Sequence, residues 1–393
     1  MQLSPIIAMA SLARLPNAAI PELINRMFAG PIDANLFMNQ FQLFSIFGKK
    51  EFALEMLARA LEMSSVYRID GCSKPAIRLL ALMTEGDSTD NAPLDYLIED
   101  SDIRLDLLYI LPGHPLPSAI PDHDVAIVAA GESAEETLNA AQSLIGSWPR
   151  PVLNAPERIR LCARDSLWLN LRSIQNLVAP TTLRVKRQAL ARIAAQKATL
   201  ASLSEPSLFD YPITVRPQGS QSGRGLARIE NCAQLAAYLD AASGDDFFVS
   251  AYIDYRSADG HYRKARIALI DGQPFVCHLA IGDDWIVHYN SAGMMDDAAK
   301  REEEALFMQR FDEDFALRHA KALRSIADRL GLDYVVLDCW ETPSGELLVF
   351  EADNRGWVHA TDPVDIFPYK QEPMKKLFAA FRAMLDRAMN HKD

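Results

Sequence analysis

The sequence predicts an α/β (α+β) fold, and three stretches carry that prediction. From about residue 73, short apolar runs ("AIRLLALM", "IRLDLLYIL", "HDVAIVAA") alternate with polar loops and helical patterns, as mostly parallel strands covered by helices do. Residues 210–226, "DYPITVRPQGSQSGRGL", put a short β-rich run ahead of three closely spaced glycines. Near the C-terminus, "LDYVVLDCWETPSGELLVFEADNRG" sets two apolar runs around Pro343-Ser344-Gly345, which predicts a hairpin.

Composition narrows the function classes. A chain of 393 residues, 49% of them hydrophobic, has room for about two or three domains that each bury a core. Its formal charge of −12 argues against a protein that coats nucleic acid, which must neutralise phosphates with Lys and Arg. Five scattered cysteines without CxxC spacing predict neither a disulfide framework nor a zinc cluster and fit a reducing cytoplasm. No run approaches the ~18 apolar residues of a membrane span. The start "MQLSPIIAMASLARLP" lacks the layout of a signal peptide. These features predict a cytoplasmic protein with neither a nucleic-acid nor a membrane partner.

In chain order, residues 1–72 read as helical. Gly48-Lys49-Lys50 breaks two amphipathic stretches, and Gly48, Ala53 and Ala60 are spaced as in a single tetratricopeptide-type hairpin. One such unit cannot form a stack, so the hairpin is expected to pack on the next domain. Its outer face is the surface open to a second copy or a protein partner. Residues 73–150 read as an α/β domain whose last helix is "GESAEETLNAAQSLIG". Residues 151–393 read as the remaining domain, of two lobes. It holds a Pro-containing linker, "NLVAPTTLRV", and an Ala- and Leu-rich helix over 186–203. The 210–226 strand and glycine loop, the helix "NCAQLAAYLDAA" and the run "DDFFVSAYI" come next. "RKARIALIDGQPFVCHLAI" reads as a hairpin turning at Asp271-Gly272, with "DWIVHY" after it. One long helix is predicted over 297–330, its "KREEEA" segment a solvated face. Strands over 333–340 and 346–352 and an amphipathic helix close the chain.

The C-terminal hairpin gives the sharpest local signal. With the turn centred between Ser344 and Gly345, Asp338 lies opposite Glu351, and Asp353 shares that face because strand side chains alternate. Like charges placed opposite one another repel. A cation between them resolves the conflict, and all-oxygen ligands suit Mg²⁺ or Mn²⁺. Exposed polar residues at strand ends are the plainer alternative.

The order of these parts resembles the ATP-grasp superfamily, in particular RimK-type amino acid ligases, over roughly residues 75–385. That resemblance implies an ATP-grasp fold behind a smaller α/β domain and the N-terminal helices. It implies ATP as cosubstrate, with Mg²⁺ or Mn²⁺ held by Asp338, Glu351 and Asp353. The family usually has Asn at the last position, and here Asn354 follows Asp353. Gly219, Ser220, Gly223 and Gly225 fall in the loop that covers the phosphates. Ala251, Tyr252 and Ile253 match the linker whose backbone reads adenine. Two family lysines are missing: one position is Ser166, directly after Arg164-Asp165, and the other is Arg216. Arg216 keeps the charge and offers a two-pronged grip on phosphate that lysine lacks. The ribose carboxylate position falls on Lys264, with Asp254 as the substitute. Arg266 matches the arginine that faces the terminal phosphate and acyl group.

The cluster "CHLAIGDDWIVHYNSAGM" adds His288 and Asn290 as substrate-positioning candidates, with Arg355 and His359 behind them. His278 fits a core histidine satisfied by backbone. The function implied is an ATP-dependent carboxylate–amine ligase acting through an acyl phosphate on an amino acid or peptide. A non-catalytic nucleotide- or partner-binding protein and a small-molecule kinase are the alternatives.

Overall fold

The computed structural model describes residues 3–69, 71–72, 74–204, 207–220 and 223–390. It has the mixed α/β architecture that the sequence predicts, in three sheets.

The first sheet has six strands in the order Pro5–Ile6, Val66–Ile69, Ile103–Tyr109, Ile77–Met83, Val125–Val128, Val152–Leu153. All its pairs are parallel except Val66–Ile69 against Ile103–Tyr109. Its central strands are buried on both faces, which is why they read as unbroken apolar runs. The N-terminal segment is largely helical, but it also supplies two strands of this sheet, Pro5–Ile6 and Val66–Ile69. The second of these is β-branched and aromatic, and its Arg68 pairs with the buried Asp106 at 2.6 Å. The helices Ala34–Ile46 and Lys50–Met63 form the predicted hairpin, turning at Gly48 with φ 65°. Ala53, Leu57 and Ala60 pack into the same core as the sheet.

The second sheet is antiparallel, in the order Ala227–Ile229, Ile213–Pro217, Asp246–Ala251, Thr182–Lys186. Helices Arg187–Ala194 and Cys232–Ala241 cover it and close a core of its own. The helix predicted over 186–203 stops at Ala194. Gln196 turns left-handed (φ 56°), and the Lys197 amide reaches back to Arg192 O at 2.8 Å, closing the helix end.

The third sheet runs Gln273–Gly282, Tyr262–Ile270, Tyr334–Glu341, Leu347–Asp353, Leu177–Val178, and only the last pair is parallel. Asp271 and Gly272 both take positive φ, as the predicted two-residue turn requires. "DWIVHY" is not a strand: the Trp285 carbonyl accepts from the Tyr255 hydroxyl at 2.6 Å instead of from a neighbouring strand. The long helix is three pieces, Ala298–Arg310, Phe315–Arg318 and Ala320–Leu330. No Gly or Pro marks the break. The chain turns there with Phe307 and Phe315 both against the Trp340 ring. Within "KREEEA", Glu304 is fully buried instead of solvated. Helix Gln371–Asn390 packs between the first and third sheets, which share two core clusters. Among the described residues, no helix is long and apolar enough to cross a membrane.

Candidate functional site

The second and third sheets face each other across a cavity of about 810 Å³, a volume typical of small-molecule sites.

The C-terminal hairpin forms the floor. Glu341 pairs with Leu347, so the turn is centred on Ser344, half a residue before the predicted centre. A bulge at Phe350 restores the register, and Asp338 lies opposite Glu351, with Asp353 opposite Val336. The predicted pairing is therefore met through two offsets that cancel. Across the next strand, Arg266 is the register partner of Asp338. Its guanidinium grips both carboxylate oxygens, at 2.8 and 3.0 Å, and donates a third bond to Trp357 O. Lys264 adds a contact to Asp338 at 3.0 Å. Burial alone would raise the Asp338 carboxyl, but Arg266 and then Lys264 hold it well below the usual carboxylate range. Glu351 is paired with Arg164, and Asp353 with Arg355 at 3.0 Å.

These pairings bear on the metal. Asp338 is 2% exposed with both oxygens committed, and its two companions each face an arginine. Among the described residues, no group of three or more His, Cys, Asp or Glu side chains is arranged to hold a metal ion. As paired here, the donor set does not fit an open all-oxygen site.

The glycine loop forms the roof. Gly219, Gly223 and Gly225 all have positive φ. A side chain would also be crowded at the last two. A Cβ on Gly223 would come within 2.5 Å of His288 Nε2, and one on Gly225 within 2.8 Å of Pro217 Cδ. Arg216 is 7% exposed and lines the cavity. Its partners are neutral: Nε donates to Ser220 Oγ at 3.0 Å and a terminal nitrogen donates to Ser220 O. Burial, and then repulsion from Arg164, pushes its guanidinium down to about 10. Among the described residues it is a buried cation beside another cation, with no ion pair of its own and only the more distant charge of Glu351 to offset it.

Ala251, Tyr252 and Ile253 line an apolar and aromatic section with Leu167, Trp168 and Leu226. The Ala251 and Tyr252 amides donate to Thr181 O and Pro212 O. The Tyr252 ring lies 4.1 Å from the Arg228 guanidinium and packs edge-on against Trp285. Asp254 is exposed, accepts from the Arg256 amide and does not line the cavity; Lys264 does. His288 lines it below the loop, and burial, then Lys264, lowers its pKa. Asn290 lies exposed at the rim on a short helical turn. The remaining candidates, Arg355 and His359, also line the cavity. Arg355 is 2% exposed, bound to Asp353, Glu132 and Thr89 O, and His359 bonds Thr361.

The structure adds residues that the sequence did not single out for the site, and it puts His278, expected to be satisfied by backbone, on the cavity wall with Nδ1 unpartnered among the described residues. Arg164 stands in the quoted Arg-Asp pair, so its position was visible, although its partner was not. His278, Tyr289, Trp357, Asp362 and Lys370 line the cavity's other arm. Lys370 is 4% exposed and reaches Asp362 at 2.7 Å, the Tyr289 hydroxyl and the buried Glu304. Nothing in the sequence around Lys370 or Glu304 separates them from ordinary surface charges.

No family model and no curated protein matches the chain. Among solved structures it is similar to a D-alanine–D-alanine ligase from Bacillus anthracis complexed with ATP (12% identity, TM-score 0.49, covering 81% of this chain and 100% of that one). It is similar to a RimK-domain ATP-grasp protein from Sphaerobacter thermophilus (18%, TM-score 0.43, 77% and 98%). A third is the VanG D-Ala:D-Ser ligase from Enterococcus faecalis (13%, TM-score 0.46, 79% and 99%). At these levels the likenesses carry no residue roles to this chain.

Proposed function

We propose that this protein is an ATP-dependent carboxylate–amine ligase that joins an amino acid or small peptide to an amine through an acyl phosphate. One observation carries the reading. Five cations, Arg164, Arg216, Lys264, Arg266 and Arg355, line the cavity against three carboxylates of the hairpin, Asp338, Glu351 and Asp353. They stand in the same cavity as an aromatic section suited to a planar base. A buried surplus of positive charge costs stability unless an anion relieves it. A polyanion with a flat, apolar end supplies both halves of the match, and a nucleoside triphosphate is the simplest such ligand.

In this reading Arg216 holds the phosphate chain from above, and Arg164 can turn from Glu351 to meet it. Arg266, fixed by Asp338, faces the group being transferred and stabilises charge as the phosphoryl moves to the substrate carboxylate. The glycine loop closes over the site and keeps water from the acyl phosphate. The order of motifs in the sequence supports the same assignment. Mg²⁺ or Mn²⁺ belongs to that resemblance, but the hairpin carboxylates are committed to arginine and lysine, and none of these roles runs through a metal.

Purified protein with ATP, Mg²⁺ and a pool of amino acids tests the proposal. Amide product with stoichiometric ADP supports it. Phosphorylated product without amide would make the protein a kinase, and no turnover would make it a binding protein. AMP with pyrophosphate rules out the acyl phosphate.

A further inference from the structure

The cavity's second arm has its own chemistry. His278 is the register partner of Arg266 on the opposite side from Asp338, so both side chains present to the cavity. A bulge places Cys277 as the extra residue there, since Arg266 pairs with His278 and Ile267 with Val276. Among the described residues, His278 Nδ1 is buried and has no hydrogen-bond partner, and the same holds for Trp357 Nε1 on this wall. Orphaned buried polar atoms are rare in folded proteins and mark places where something else must bond. The imidazole is held in place: its ring packs 4.5 Å from the ring of Tyr289, whose hydroxyl is fixed between Glu304 and Lys370.

Charge changes along the cavity. Around the hairpin cations are in surplus. At the far arm the lining charges balance: Asp362 holds Lys370 at 2.7 Å, and Glu304 lies fully buried behind Lys370, outside the cavity wall. An anionic donor is thus drawn to the hairpin end, while Asp362 offers a carboxylate to an amine at the other, with Arg266 and His278 between them.

We propose that His278 is the base that takes the proton released when the amine attacks the activated carboxylate, and that the amine enters past Tyr289, Trp357 and Asp362. This rests on the ligase reading above. The unprotonated amine nitrogen forms the C–N bond, the C–O bond to phosphorus' oxygen breaks, and phosphate leaves with the bonding pair. The proton lost from nitrogen passes to His278 Nδ1. The groups facing the imidazole are Arg266, Lys370, Asp338 and Lys264. Burial, then Arg266 and Lys370, lowers its pKa, so the imidazole stands neutral at pH 7 and accepts only a strongly acidic proton such as that of the newly acylated nitrogen.

The test compares the full-length protein with His278→Gln under ATP, Mg²⁺ and the amino acid pool, with circular dichroism to confirm that the variant is folded. Loss of the base predicts an amide rate lower by about 100-fold or more. Hydroxylamine, a small nucleophile that attacks acyl phosphates without help from a protein base, should recover a large part of the lost ADP formation in the variant. Asp362→Asn is the second arm: at a partly exposed position, it should raise KM for the amine about tenfold, with kcat little changed. An undiminished amide rate in a folded His278→Gln protein overturns the assignment. A loss that hydroxylamine leaves untouched also overturns it, because His278 would then serve phosphorylation. If the unaltered protein makes no ADP, the ligase reading itself falls and this inference falls with it.

Discussion

The two walls of the cavity are built differently. The second sheet closes its own core, with Val215, Leu235, Phe247 and Val249 among its members, separate from the core clusters of the rest. It contributes backbone, the glycine loop and one cation with neutral partners. The third sheet shares two core clusters with the first and contributes charges that already hold one another. One wall can shift as a unit without opening the main core. The other keeps its charges in place while it does. In the proposed reaction, closure would fall to the glycine-loop wall and chemistry to the hairpin wall.

Substitutions on the two walls should therefore fail in different ways. The largest effect is expected at Asp338→Asn, which leaves Arg266 and Lys264 buried without their shared carboxylate. Breaking such a pair costs about 3 kcal/mol, so both turnover and the denaturation midpoint should drop. A variant that melts normally and turns over would break the contrast between the walls. Arg216→Met is the counterpart. Its loss should weaken ATP binding by about tenfold or more in titration calorimetry. Stability should change by no more than about 1 kcal/mol, because the charge removed is a buried one with neutral partners. A large fall in stability without a change in affinity would move Arg216 from ligand holding to structure.

Gly223→Ala comes next. A side chain at φ 69° costs about 1–2 kcal/mol and meets His288. The loss should appear as a raised KM for ATP and faster proteolysis of the loop, with the main unfolding transition little moved. The smallest effect is pH dependence. His278, His288 and His359 all have pKa values lowered first by burial. Below about pH 6.5 the unfolded chain takes protons that the native histidines refuse. Stability should thus fall as pH drops from 6.5 toward 5, by at most about 1.4 kcal/mol per pH unit from His278. Melting curves across that range should flatten in His278→Gln, and an unchanged slope would show that its imidazole titrates normally.

Much of the fold was legible because strands buried on both faces leave unbroken apolar runs and Asp271-Gly272 leaves its own turn signature. The facing of Asp338 and Glu351 was legible too, although the bulge at Phe350 was not. What escaped depended on packing. Val66–Ile69 is a strand because the first sheet had a free edge beside Ile103–Tyr109. The helix break after Arg310 follows aromatic contacts with Trp340, not a local breaker. His278 looked like a core histidine because its facing depends on the bulge at Cys277. Glu304 looked solvated because nothing local announces that two tyrosines and a lysine converge on it. Asp254 looked like a ribose ligand by position, yet the chain turns it outward.

Gly131 and Arg355 bear on how such chains diverge. The Arg355 side chain fills the place where a Cβ of Gly131 would stand, its Nε only 2.0 Å from that position. There it joins Glu132, in the turn that follows strand Val125–Val128 of the first sheet, to Asp353 of the hairpin. Neither residue can drift alone. Any larger residue at 131 would have to arrive with a shortened side chain at 355, and that change would leave Glu132 and Asp353 without their shared cation. In a lineage of this protein the four positions should therefore change together or not at all, which ties the smaller α/β domain to the hairpin as a single heritable unit.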